Sequence, residues 1–456
     1  MSTLKPRRTL SAAAVILSVA MLATGCADDQ GGSSASPSLG LSLTTAAFNK
    51  AKEIAGDQKL TGSITFISTL GGDERNRYLA TLKPFEEATG VKIEYTGSED
   101  YQALVQSSID AGKPIDVVQA GNTSIVRKYA GSGKMVDLNK LVGKDQLASA
   151  FNPSMLASTT KDGANYGLWS MLSNYEIWYN PASYSGPKGT DVTWDQLSAW
   201  TDEQSKSGHA PWCMGLSAGA STGWPGAYFV LNILLKQAGT DFVAALGRGQ
   251  ASWDSPEVRA AFATFAKVVA SDKTVAGGPS GVITTDPGEA GLGMYADPSQ
   301  CSLMHWGTFT ASILQAAEPK AEPVKGLDFM PMPTINPAYA KAEGYGGNVM
   351  SAFSDRPEVA ALMKYLASVE ESNLIAATGN WTGTNVKTNN SDYPNELLGK
   401  ISKEILEGTD LVPFPTAVAP AAVNSALYKA VSEFVQKPSS LDANLAAVQT
   451  AAKASS

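Results

Sequence analysis

Two pairs of adjacent acids, Asp73-Glu74 and Glu99-Asp100, are the residues in this sequence best suited by type to bond-breaking chemistry. Carboxylates that share acid and base work on a glycosidic bond must face each other across the substrate, about 5–10 Å apart. Sequence neighbours point in different directions, so neither pair reads as such a dyad. Glu99 and Asp100 read instead as solvated surface. The two histidines, His209 and His305, suit local hydrogen bonds better than catalysis or metal ligation. Nothing resembles a zinc cluster, a phosphate-binding loop or a dinucleotide-binding glycine fingerprint. No cofactor and no metal are therefore expected, and non-covalent recognition is the chemistry left.

The tryptophans suit that task. Of nine, Trp178, Trp194 and Trp200 lie in patterned segments and read as core. Three lie among chain breakers: Trp224 in Thr222–Gly226, Trp306 in His305–Gly307 and Trp381 in Gly379–Gly383. Glycine-rich turns present side chains at the edge of a fold. A sugar ring, with one apolar C–H face and a rim of hydroxyls, matches a flat indole flanked by polar groups. Asp73, Glu74 and Asn122 are the polar candidates, and hydrogen bonds to charged acceptors are the stronger kind.

The three cysteines divide by context. Lys5, Arg7 and Arg8 precede an uncharged stretch from Leu10 to Ala23, and Leu-Ala-Thr-Gly-Cys closes it at Cys26. The stretch is shorter than the ~20 residues of a membrane span, so residues 1–25 read as a removable secretion signal and Cys26 as a lipidation site. Ala23 stands where such signals usually carry Leu, Val or Ile. Residues 27–45 are small and polar and are expected to form a flexible tether. Cys213 and Cys301 are then an even pair outside the cytoplasm and are expected to bond. Closing so long a loop stabilises by up to about 4.5 kcal/mol in the chain-entropy picture. The net charge of −8, more negative once the basic leader is removed, disfavours nucleic acid and anionic lipid as partners.

The elements that would position these residues begin as an open parallel sheet. Ser63–Ile67 reads as a buried strand, residues 73–88 as a helix interrupted at Pro84, Val91–Tyr95 as a strand, residues 100–111 as a helix and Pro114–Val118 as a strand. Thr193 and Gln196 fit a capping box, and Ser255-Pro256 and Arg356-Pro357 fit helix starts. The Ala-rich stretch from about residue 441 reads as a helix. Ligands of open α/β sheets bind beyond the carboxyl ends of the strands, which here carry Thr69–Asp73 and Gln119–Thr123.

In this order and spacing the chain resembles the extracellular solute-binding proteins that deliver carbohydrates to ABC importers, the maltose- and α-glucoside-type group. The resemblance runs from about residue 60 to 435. It is carried by Ile64–Phe66, Leu82–Ile93, Pro114–Val118, Tyr166–Leu168, Trp178–Pro181, Thr193–Leu197, Pro211-Trp212, Gly223–Gly226, Arg356–Val359 and Leu362–Leu366. Trp169 stands where the family often has Pro, and Met304–Gly307 replaces its usual Gly-Ser-Trp or Gly-Pro-Trp. Similar proteins with cysteines near Cys213 and Cys301 support the disulfide.

The resemblance implies an α/β, periplasmic-binding-protein-like fold, two lobes joined by a multi-crossing hinge with the ligand cleft between them. The crossings are expected near Ser173–Tyr175, Phe329–Pro331 and Thr378–Asn380. Residues 26–58 would be the lipidated cysteine and tether, 59–172 with 331–379 the N-terminal lobe, and 173–330 with 380–456 the C-terminal lobe. Tyr345–Gly347 would lie where glycine lets the backbone approach the ligand. The expected ligand set is Gly72, Asp73, Glu74, Tyr101, Asn122, Tyr175, Trp224, Trp306, Tyr345, Gly347 and Trp381. The implied role is capture of a mono- or oligosaccharide by a non-enzymatic monomer on the outer face of the cytoplasmic membrane. Its partners would be the transmembrane subunits of an ABC permease with a cytoplasmic ATPase. The alternatives are a binder of a non-sugar solute and a lipid-anchored glycoside hydrolase.

Overall fold

The computed structural model describes residues 39–98, 100–113, 115–310, 313–314, 326–394, 396–408 and 410–454. The expected signal segment, Cys26, the start of the tether and Glu99 lie outside them. The chain opens as β1 (Ser63–Ser68), α2 (Gly72–Thr89), β2 (Lys92–Gly97), α3 (Tyr101–Asp110) and β3 (Val117–Ala120). All three strands are parallel, and Phe66 of β1 stands opposite both Tyr95 and Val117. Ile64 and Phe66 are fully buried, as β-branched and aromatic residues favour on a pleated sheet.

Three local expectations change. Pro84 does not break α2; its ring is buried beside Thr81, Leu82 and Phe85, and packing there offsets the one hydrogen bond it cannot donate. β3 starts later than Pro114, because Asp116 is taken up by Arg356 and by the backbone N–H of Thr65. The tether does not extend to residue 58. Leu41–Ala55 forms α1, with Ala47, Ala51 and Ala55 buried at i, i+4 and i+8. Small residues at helical spacing let α1 lie close against α2 and two later helices, α8 (Pro357–Leu366) and α9 (Val369–Ala377).

The larger sheet has the order β11-β10-β3-β1-β2, with β6 (Leu168–Ser173) on the other side of β10 (Glu343–Ala352); β11 is Leu411–Pro413. A two-residue ribbon, β4 (Thr160–Lys161) and β5 (Ala164–Asn165), precedes β6. The smaller, antiparallel sheet has β7 (Tyr175–Tyr179) between β8 (Leu303–Gly307) and β9 (Asp328–Met330). Against it runs α6 (Trp224–Gly247), interrupted at Gly239, where φ is 83° and ψ 173°. This helix is apolar enough in length and composition to cross a membrane. Its apolar residues Val230, Ile233 and Leu234 are instead buried in the second core, with Phe262 and Phe265 of α7 (Pro256–Val269) and Val431 of α10 (Ala421–Gln436). The last helix, α11 (Leu441–Ala454), packs on α10. Cys213 and Cys301 are bonded, with Cα atoms 5.3 Å apart.

The chain passes from the larger sheet to the smaller at Ser173–Tyr175. The other two passages lie later than expected. Residues after β9 stay with the second core, where Thr334 bridges Thr193 and Asn336 bonds Lys236, so the return falls at the start of β10. Residues 380–413 stay with the first core. Trp381 is buried there, Thr382 bridges Leu172, and β11 pairs with β10. The last passage therefore falls near Phe414. Which sheet a strand joins is decided by its partners, and no local pattern marks that choice.

Candidate functional site

At the carboxyl ends of β1 and β3 the backbone is held by a polar ladder. Gln119 donates to Ser170 and accepts from Ser68 at 2.6 Å, while Asn348 of β10 donates to Thr69 at 3.0 Å. The loop after β1 enters α2 through Gly72, whose φ of +50° places it in the left-handed region. No atom lies within 4 Å of the position a Cβ would take there, so the helix N-terminus is open to solvent. The first turn carries Asp73 and Glu74, a favourable placement for negative charge. Asp73 pairs with Arg77 at 2.7 Å, and Arg77 also donates to the carbonyl of Thr378. The other Asp73 oxygen is buried with no hydrogen-bond partner. Glu74 reaches solvent but is enclosed on its other sides. That enclosure raises its carboxyl above the ordinary range, and Asn380, donating at 3.5 Å, partly restores it.

Asn122 is half-buried after β3, its Oδ1 accepting from the Ser124 N–H at 2.9 Å. Tyr101 is buried, with its hydroxyl 3.3 Å from Ser124 and 3.5 Å from Asn122. It props the loop from behind.

The smaller sheet and α6 carry an aromatic face. Trp224 and Tyr228 sit four residues apart on α6, so they share one side of the helix, and their rings are 6.0 Å apart, edge to face. Phe309, two residues past β8, lies 6.1 Å from Trp224 and 5.2 Å from Trp306. Trp224, Tyr228 and Phe309 are half-exposed. Trp306 and Tyr175 are buried behind them, Tyr175 stacked 4.0 Å from Tyr228. Trp306 therefore backs the platform and cannot offer a free ring face. The two sides meet at Gly346, where a Cβ would stand 3.2 Å from the Tyr228 hydroxyl.

Two of the expected contacts are buried. Trp381 belongs to the first core, whereas Trp224 and Trp306 lie 6.3 Å apart on the other side. Tyr345 is fully buried, its hydroxyl 3.2 Å from Ser154 and its ring edge-on to Trp169. Gly347 is required by the backbone itself. Its φ is +139°, and a Cβ there would stand 2.1 Å from the carbonyl oxygen of Met171 in β6. Tyr228 and Phe309 escaped the sequence reading, although the four-residue spacing from Trp224 and the run Gly307-Thr308-Phe309 could have flagged them.

A second group of acids lies by the hinge. Glu343 pairs with Lys236 at 2.9 Å. Burial pushes the Glu176 carboxyl well up, Glu343 and Glu404 push the same way, and Lys236 pulls back. Glu404 is raised to about 7 by burial and by Glu343. Glu176 follows Tyr175 in β7 and is the ladder partner of Trp306, while Glu343 stands at the start of β10.

Two α/β lobes joined where the chain passes between two sheets define a periplasmic-binding-protein-like fold. The chain belongs to the bacterial extracellular solute-binding protein family, which it matches over residues 71–372. It is 27% identical over 369 residues to the osmoprotective compounds-binding protein GgtB of Synechocystis, covering 80% of this chain and 86% of that one. It is 24% identical over 400 residues to the alpha-glucosides-binding periplasmic protein AglE of Rhizobium meliloti, covering 80% and 82%. Among solved structures, the bacterial solute receptor AcbH aligns with a TM-score of 0.70 at 18% identity, over 86% of this chain and 98% of that one. The cyclic alpha-maltosyl-1,6-maltose binding protein of Arthrobacter globiformis aligns at 0.64 and 19%, over 86% and 98%.

Proposed function

We propose that the chain is the carbohydrate receptor of an ABC importer. The observation that carries this is the half-exposed aromatic face of Trp224, Tyr228 and Phe309, which meets the larger sheet where the Tyr228 hydroxyl lies beside Gly346. A pyranose ring stacks its C–H face on the aromatics, and its hydroxyls bond Glu74 and the groups around Asn122. Ligand touching both lobes favours the closed arrangement over the open one, and that differential affinity drives closure. No bond is made or broken. Asp73 is tied to Arg77 and Glu74 faces Asn380, so this acid pair does not form a dyad across a substrate. Acyl chains on Cys26 hold the receptor at the outer face of the membrane, and the closed form docks as a monomer on the permease. The names of the AglE and GgtB relatives support an α-glucoside or an osmoprotective compound as the ligand.

Isothermal titration of the mature chain tests this with maltose, trehalose, sucrose, galactose and longer α-glucans. Saturable heat with at least one sugar is expected. Heat only with amino acids, peptides or polyamines overturns the reading.

A further inference from the structure

A cavity of about 490 Å³ opens at the far end of α6 from the aromatic face. Both cores contribute its walls: α4 (Ser124–Tyr129) and α5 (Pro153–Thr159) from the first, the end of α6 from the second, and β11 between them. Val126, Ala157, Ala244 and Leu411 make an apolar lining. Its size lies in the range of small-molecule sites.

Its charge is opposite to that of the chain. Arg127, Lys161 and Arg248 line it against one acid, Asp241, in a protein of net charge −8. Among the described residues, none of the three cations is ion-paired with a carboxylate. Arg127 donates to the carbonyls of Gly247 and Val418, Lys161 to that of Ala130, and Arg248 to the side chain of Gln250. Carbonyls and an amide satisfy N–H groups without neutralising charge, and a guanidinium stays protonated. The cavity thus joins an apolar wall to uncompensated positive charge.

We propose that this cavity binds a small amphipathic anion, a carboxylate, sulfonate or phosphate carried on an apolar body. The site is separate from the carbohydrate reading and stands if that reading fails.

The test compares two fluorescent probes on the full mature chain. 8-Anilinonaphthalene-1-sulfonate and N-phenyl-1-naphthylamine share their rings and differ by the sulfonate. The sulfonate is expected to bind saturably, one to one, and at least tenfold tighter than the neutral probe. That gap should narrow as ionic strength rises from about 20 to about 300 mM. Lys161→Gln with Arg248→Gln, both exposed side chains, should remove most of it while the melting temperature holds. If the double variant does not fold, Lys161→Gln alone should narrow the gap. Equal affinity of the wild type for both probes, or an undiminished gap in the folded variant, overturns the proposal.

Discussion

On the proposed reading, single residues divide into those that meet a ligand and those that hold the backbone. Phe309→Ala or Trp224→Ala should each remove a stacking surface and cost about 1–2 kcal/mol of binding, roughly five- to thirtyfold in affinity by titration calorimetry. Trp381→Phe should leave affinity within about twofold, because its ring is spent on the first core. If Trp381→Phe proves the most damaging of the three for affinity, the aromatic face is misassigned. The glycines show why types alone misled. Gly379 and Gly383 suggested a loop displaying Trp381. A Cβ on Gly383, however, would stand 2.6 Å from the Ser372 hydroxyl, so that glycine serves close packing. Gly347 is the stronger case. Gly347→Ala combines φ +139° with a backbone clash, and a loss of about 3 kcal/mol or more is expected in urea unfolding. A variant of wild-type stability would mean that β6 and β10 can part without cost.

At the scale of elements, what could be read from sequence was what is local. The run β1-α2-β2-α3-β3 follows from alternating strand and helix periods, and the Thr193–Gln196 capping box formed as its residues suggested. α1 was hidden because its buried face is alanine, too weakly apolar to separate from a tether. The passages at β10 and β11 were hidden because pairing partners far along the chain set them. These strand ends also bring Glu176, Glu343 and Glu404 toward Lys236, which gives a pH prediction. Glu404 titrates near 7 in the folded chain, against an ordinary 4.5. The native state therefore holds its proton where the unfolded state does not. The contribution is fully present below about 4.5 and lost as pH rises through 7. After screening at this half-buried site it amounts to on the order of 1 kcal/mol. His305 works in the opposite sense: burial lowers it to about 3, so its contribution fades as pH falls below about 6.5. The clean measurement is therefore a difference. Melting temperatures of wild type and Glu404→Gln, followed from pH 5 to 8, should converge at the acid end, and the wild type should fall below the variant at the alkaline end. Parallel curves would place the Glu404 carboxyl in ordinary solvent.

For the whole molecule, the two lobes and their fold were legible from ordered weak motifs, while the ligand face was only partly so. Its centre depends on α6 bringing Tyr228 beside Gly346, a meeting of residues more than a hundred positions apart. The same geometry ties ligand binding to shape. The three passages, near Ser173–Tyr175, at the start of β10 and near Phe414, are the points about which the lobes can turn. To carry such a molecule from one closed in a hundred to ninety-nine, a ligand must prefer the closed arrangement by about 10⁴-fold, or about 5.5 kcal/mol. Contacts on one lobe alone cannot supply any of this, since they are the same in both arrangements. Small-angle scattering of the mature chain should therefore show a smaller radius of gyration once a binding sugar saturates it. Phe309→Ala, saturated at higher sugar concentration, should close less completely, because it weakens the second-lobe half of the bridge. A radius unchanged at full occupancy would mean that the sugar rests on one lobe, and capture by closure would have to be abandoned even with the carbohydrate reading intact.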